Sequence, residues 1–174
     1  MTNSSIDIYK SYLDLSYAAY GGSNFSRRMG FSLIDLTNGQ NNEVTTNINK
    51  VSDAIDDNYY SYKNTSSGFA ACVFENTTTG EIVIAYRGTE RTNLGENTSD
   101  IVTWGKDLIT DNNIILGVLD QQFNDAWDLY QAVKSQNPTS KIVLTGHSLG
   151  GGLAQLVAAK AFSSTHENTT PEIL

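Results

Sequence analysis

The residues with the clearest capacity for chemistry stand together at Gly146-His147-Ser148-Leu149-Gly150. A serine hydroxyl is a weak nucleophile until a base takes its proton. It also needs amide donors aimed at the oxyanion that its attack creates. The Gly-x-Ser-x-Gly spacing suits that task on a sharp strand-to-helix turn, which strains the serine backbone and leaves its Oγ exposed. Gly146 and Gly150 flank Ser148 because a Cβ at either place is expected to collide with neighbouring backbone. Gly151 and Gly152 extend the small face and are expected to let the helix start lie close to the sheet. That start brings free N–H groups and a positive dipole end to developing negative charge. The Leu149 N–H is the natural first oxyanion donor.

The elements that must hold this turn lie on either side of it. Lys141 to Thr145 is a short, apolar, β-branched run, as a buried strand requires. Leu149, Leu153, Leu156 and Val157 then recur at the spacing of one helix face. Further back, Phe69 to Phe74 and Ile82 to Tyr86 are apolar runs around a polar segment containing Gly80, which predicts an antiparallel hairpin. Ile114 to Val118 is expected as a strand and Gln122 to Ser135 as a helix, with Asn137-Pro138 in the loop that follows. Alternating strands and helices from the hairpin onward imply parallel pairing and right-handed crossovers. Ile6 to Tyr20 reads as a helix ended by Gly21-Gly22, with Ile6, Tyr9, Leu13, Tyr17 and Tyr20 packed on the core or a groove. The pattern weakens from Ser23 to Ser67, where Val51 to Tyr62 is expected to hold a short helix.

Composition bounds the rest. A chain of 174 residues makes one domain, 1–174, with room for a substantial core. A net charge of -8 argues against nucleic acid and against attraction to anionic membranes. One cysteine, Cys72, excludes an internal disulfide and sits in an apolar run as a buried thiol. Two histidines and one cysteine form no recognisable metal site, and no phosphate-binding glycine loop is present, so neither metal nor cofactor is expected. Neither a signal peptide nor an apolar run of membrane-spanning length is evident, which leaves the cytoplasm or export by a non-classical route.

Two motifs resemble those of the lipase class 3 family, α/β-hydrolases that include triacylglycerol lipases and phospholipases A1. Gly146-His147-Ser148-Leu149-Gly150-Gly151 is similar to the family's elbow, and Ile84-Ala85-Tyr86-Arg87-Gly88-Thr89 to its strand-end motif. Trp104-Gly105-Lys106-Asp107-Leu108 resembles its tryptophan-containing stretch. The resemblance implies an α/β-hydrolase fold with a mostly parallel sheet flanked by helices. It implies Thr89 as the second oxyanion donor and a lid over roughly Glu90 to Trp104. Ile101 and Trp104 fit that lid and the core equally, because short apolar runs do not decide between them. The implied activity is ester hydrolysis on lipids through an acyl-Ser148 intermediate, with a lipid ester as partner and transient contact with a lipid interface.

A base and an orienting carboxylate must complete such a site. His147 adjoins the nucleophile and is expected to point away from Ser148 and to be a packed or hydrogen-bonded structural residue. His166 follows the elbow helix, whose rise of about 1.5 Å per residue would carry it roughly 20 Å from Ser148. The catalytic Asp and His are therefore expected C-terminal to Leu174, the chain being the N-terminal portion of one hydrolase domain, cut after the elbow helix. The missing pair also motivates another class of reading, a non-catalytic lipase-like module that binds a lipid or a protein. An acyltransferase or thioesterase using the same serine is compatible with these residues as well.

Overall fold

The computed structural model describes residues 5–20, 30–37, 39, 41–52, 60–88, 112–164 and 172–173. In chain order the elements are α1 (Ser5–Ala18), β1 (Phe31–Leu33), β2 (Asn49–Ser52), β3 (Tyr60–Asn64), β4 (Phe69–Asn76), β5 (Ile82–Tyr86), α2 (Asn112–Gln136), β6 (Ile142–Gly146), α3 (Leu149–Ser164) and β7 (Glu172–Ile173). One sheet runs β2-β3-β4-β5-β6-β7, and β1 also pairs with β4. The pairings of β1 with β4, β2 with β3, β3 with β4 and β4 with β5 are antiparallel. Only β5 with β6 and β6 with β7 run parallel. The expected majority of parallel strands is therefore corrected: among the described residues the sheet is mixed and mostly antiparallel. The cause is the chain order, since short turns link β3 to β4 and β4 to β5, whereas helical crossovers begin only after β5.

The period-2 alternation of β5 and β6 divides two cores. Ile82, Ile84, Tyr86, Ile142 and Leu144 face α2 and α3, whose Ala126, Leu129, Val133, Leu153, Ala154 and Val157 complete that layer. Val83, Ala85 and Val143 face the other way, against Tyr12, Leu15, Ala18 and Ala19 of α1 and its following turn. With helices over both faces, β5 is buried along its whole length, as its unbroken Ile-Val-Ile-Ala-Tyr run requires. Tyr86 bridges layers: its hydroxyl donates to the Ala126 carbonyl at 3.1 Å, and full burial, with Tyr130 nearby, pushes its phenol well above the usual value. Asp125 ties α2 to the β3–β4 turn by accepting from Asn64 Nδ2 at 3.1 and 3.0 Å and from Ser67 Oγ at 2.5 Å.

Three local expectations change. In α1 the tyrosine face is turned outward: Tyr9, Leu13 and Tyr17 are 51%, 56% and 53% exposed, whereas Tyr12, Leu15, Ser16 and Ala19 are buried. The buried stripe combines two large side chains, Tyr12 and Leu15, with the small Ser16, Ala18 and Ala19. In α3, Leu156 is exposed, and the small residues Ala154, Ala158 and Ala161 share the buried face with Leu153 and Val157. Residues 114–118 belong to α2, not to a strand, because a short apolar run carries no period that separates the two. Of the stretch expected to hold a short helix, Val51 and Ser52 lie in β2 and Tyr60 to Tyr62 in β3, and 53–59 lie outside the described residues.

Candidate active site

β6 ends at Gly146 and α3 begins at Leu149, so only His147 and Ser148 separate strand from helix. Ser148 takes φ 58°, and it alone among the described non-glycine residues has a positive φ. That region brings Cβ against carbonyl oxygen and costs an L-residue about 1–2 kcal/mol. The turn is held by the first bonds of α3: Gly150 N–H donates to His147 O and Gly151 N–H to Ser148 O, each at 3.0 Å. Ser148 is exposed, as an attacking hydroxyl must be. Leu149 is the first helical residue, so no carbonyl one turn earlier uses its N–H.

The glycines interlock as the motif demands, with one exception. A Cβ on Gly150 would stand 2.1 Å from Tyr86 O at the end of β5, and one on Gly146 would stand 2.3 Å from Gly150 C. Gly151 is tight as well, 3.0 Å from Gly146 O, but a Cβ on Gly152 would meet nothing within 4 Å. Gly152 therefore does not serve the close approach of helix to sheet.

The end of β5 lies against the elbow. Tyr86 and Gly146 are partners in the parallel register, and a Cβ on Gly88 would come within 2.6 Å of His147 O and 3.2 Å of Ser148 Cβ. That contact puts the Arg87-Gly88 strand end beside Ser148. Thr89 itself, the Glu90–Trp104 stretch, Trp104–Leu108 and His166 lie outside the described residues.

His147 is exposed, and its ring lies against two tyrosines of α1 and its closing turn. Its ring centroid lies 5.0 Å from that of Tyr17 and 6.0 Å from that of Tyr20, the latter edge-on. Among the described residues no hydrogen bond joins His147 to the Ser148 hydroxyl, and no group of three or more His, Cys, Asp or Glu could hold a metal ion. No described helix is long and apolar enough to cross a membrane. Two residues named in the sequence were given no role at the site. The first is Gly88, quoted only as part of the strand-end motif. The second is Tyr20, whose hydroxyl accepts the Gly88 N–H at 2.8 Å across 68 positions of chain.

Comparison with known proteins agrees with this geometry. Among solved structures, the Lip2 lipase of Yarrowia lipolytica superposes with a TM-score of 0.58 at 16% identity, over 99% of this chain and 59% of that one. A triacylglycerol lipase whose catalytic centre is a serine protease triad gives a TM-score of 0.51 at 17% identity, over 94% of this chain and 57% of that one. These likenesses establish the α/β-hydrolase lipase fold. A secreted mono- and diacylglycerol lipase of Fusarium solani is 33% identical over 105 residues, which is 55% of this chain and 29% of that protein. The chain thus spans well under two thirds of the length of the lipases it matches. Residues 16–170 match the phospholipase-like family model of the Tle-like phospholipase domain, and the chain belongs to that family.

Proposed function

We propose that the chain carries the nucleophile half of a serine-dependent carboxylic ester hydrolase acting on lipids, of triacylglycerol lipase or phospholipase A1 type. The observation that carries this reading is Ser148 held at φ 58° and exposed between β6 and α3, with the end of β5 in contact. The family match to a phospholipase domain and the acylglycerol lipase from Fusarium support a glycerolipid ester as substrate. Ser148 Oγ attacks the ester carbonyl carbon, and the carbonyl oxygen becomes an oxyanion held by the N–H groups of Leu149 and Thr89. Each donor is worth roughly 3 kcal/mol in such sites. Collapse expels the alcohol and leaves acyl-Ser148, which water then cleaves to the fatty acid and free serine. The histidine that moves these protons and the Asp that orients it come, in this reading, from residues outside the 174.

The test uses the complete protein with p-nitrophenyl butyrate and a long-chain phospholipid. Ser148→Ala is expected to remove turnover of both while the circular dichroism spectrum is unchanged. Residual turnover near the native rate would refute the assignment of Ser148.

A further inference from the structure

The hydroxyl of Tyr20 has a role that the motifs do not assign. We propose that Tyr20 is a positioning residue for the oxyanion site. Its hydroxyl holds the strand end that leads into Thr89 at a fixed distance from Ser148. The proposal rests on the hydrolase reading above.

Four observations converge on it. Tyr20 sits in the turn that closes α1, where its N–H donates to Tyr17 O at 3.0 Å, so its ring starts from an anchored backbone. Its hydroxyl accepts the Gly88 N–H at 2.8 Å. A Cβ on Gly88 would approach that hydroxyl to 2.8 Å and Ser148 Cβ to 3.2 Å, so phenol, strand end and nucleophile meet at one point. The Tyr20 ring is braced by the His147 edge at 6.0 Å and by the Arg87 guanidinium carbon at 5.4 Å.

The chemistry follows from what the bond consumes. Gly88 has no Cβ to restrict it, so its peptide can rotate unless a partner fixes it. With its N–H committed to Tyr20, Gly88 does not offer that N–H to the oxyanion, which fits the reading above in which Thr89 supplies the donor on this side. Removing the hydroxyl frees the Gly88 peptide and lets the donor wander, a partial version of losing it altogether. Complete loss of such a donor costs about a hundredfold to a thousandfold in kcat, so its loosening is expected to cost roughly tenfold to a hundredfold.

Tyr20→Phe in the complete protein keeps the ring and removes only the hydroxyl. With p-nitrophenyl butyrate, kcat per site titrated with a fluorophosphonate is expected to fall roughly tenfold to a hundredfold, with KM within about twofold. Inhibition by an alkyl boronic acid, which forms a tetrahedral adduct on the serine, should weaken by the same factor. Counting titrated sites keeps the comparison valid if the variant folds in lower yield. A native kcat in Tyr20→Phe, with Ser148→Ala inactive, would overturn the role of Tyr20 and leave the hydrolase reading intact. A reduced kcat with undiminished boronate affinity would also overturn it, because the oxyanion site would then be undisturbed. Turnover surviving Ser148→Ala would overturn both.

Discussion

At the scale of single residues, Ser148 concentrates the strain of the site. Its φ of 58° suits glycine and is disfavoured for a residue with a Cβ. Serine is nevertheless required there in the proposed chemistry, so stability is given up for a hydroxyl. Ser148→Gly is accordingly expected to be more stable than Ser148→Ala by about 1 kcal/mol in urea unfolding, with both inactive. Equal stabilities would mean that the turn stores no such strain. This site was legible in the sequence because its demands are local. Two glycines at fixed offsets, a β-branched run before them and a helical period after them all lie between Lys141 and Phe162. Tyr20 was not legible, because its partner is a backbone N–H 68 positions away and nothing local marks a phenol for that task.

At the scale of elements, the β5–β6–α3 unit is fixed by backbone packed on backbone. Gly150→Ala would drive a Cβ to 2.1 Å from Tyr86 O, and neither strand nor helix can retreat without breaking the β5–β6 register. A loss of about 3 kcal/mol or more is expected. Gly152→Ala is the control within the same helix. It meets open space, and its better helix propensity should stabilise by roughly 0.5–1 kcal/mol. Thermal unfolding of the two variants would show shifts of opposite sign, and equal shifts would refute the interlock. The helices, apart from the first turns of α2 expected as a strand, were readable from periodicity, but the face that α1 buries was not. Tyr12, Leu15 and Ala19 recur at helical spacing as well as Tyr9, Leu13 and Tyr17 do. Tertiary packing against Val83, Ala85 and Val143 of the sheet decided between two apolar stripes.

At the scale of the whole molecule, the sheet joins an antiparallel half to a parallel one, with β5 as the hinge of topology. Pairing direction in the weakly patterned stretch before Ser67 could not be read from composition, because β1, β2 and β3 are short and polar in part. That outer half is tied by Asp35, which accepts from Lys50 Nζ at 2.5 Å, from Thr37 N–H at 2.9 Å and from Thr37 Oγ1 at 2.6 Å. Burial acts to raise the Asp35 carboxyl, but these donors outweigh it and hold it at about 2, below its ordinary 3.8. A depressed carboxyl stabilises the fold above the unfolded value and loses that contribution as pH falls through the folded one. Because the Asp35 side chain is 43% exposed, solvent screening limits the contribution to at most about 1 kcal/mol. Stability should therefore decline between pH 3.8 and about 2, and Asp35→Asn should flatten that part of the profile in urea titrations. An unchanged acid limb in the variant would assign the decline to other carboxylates. The sulfhydryl of Cys72 is wholly shielded beneath α1, and these 174 residues contain no other. Maleimide reagents thus find a silent background, so one cysteine engineered beside Ser148 would take a fluorophore or spin label there and nowhere else in this stretch of chain.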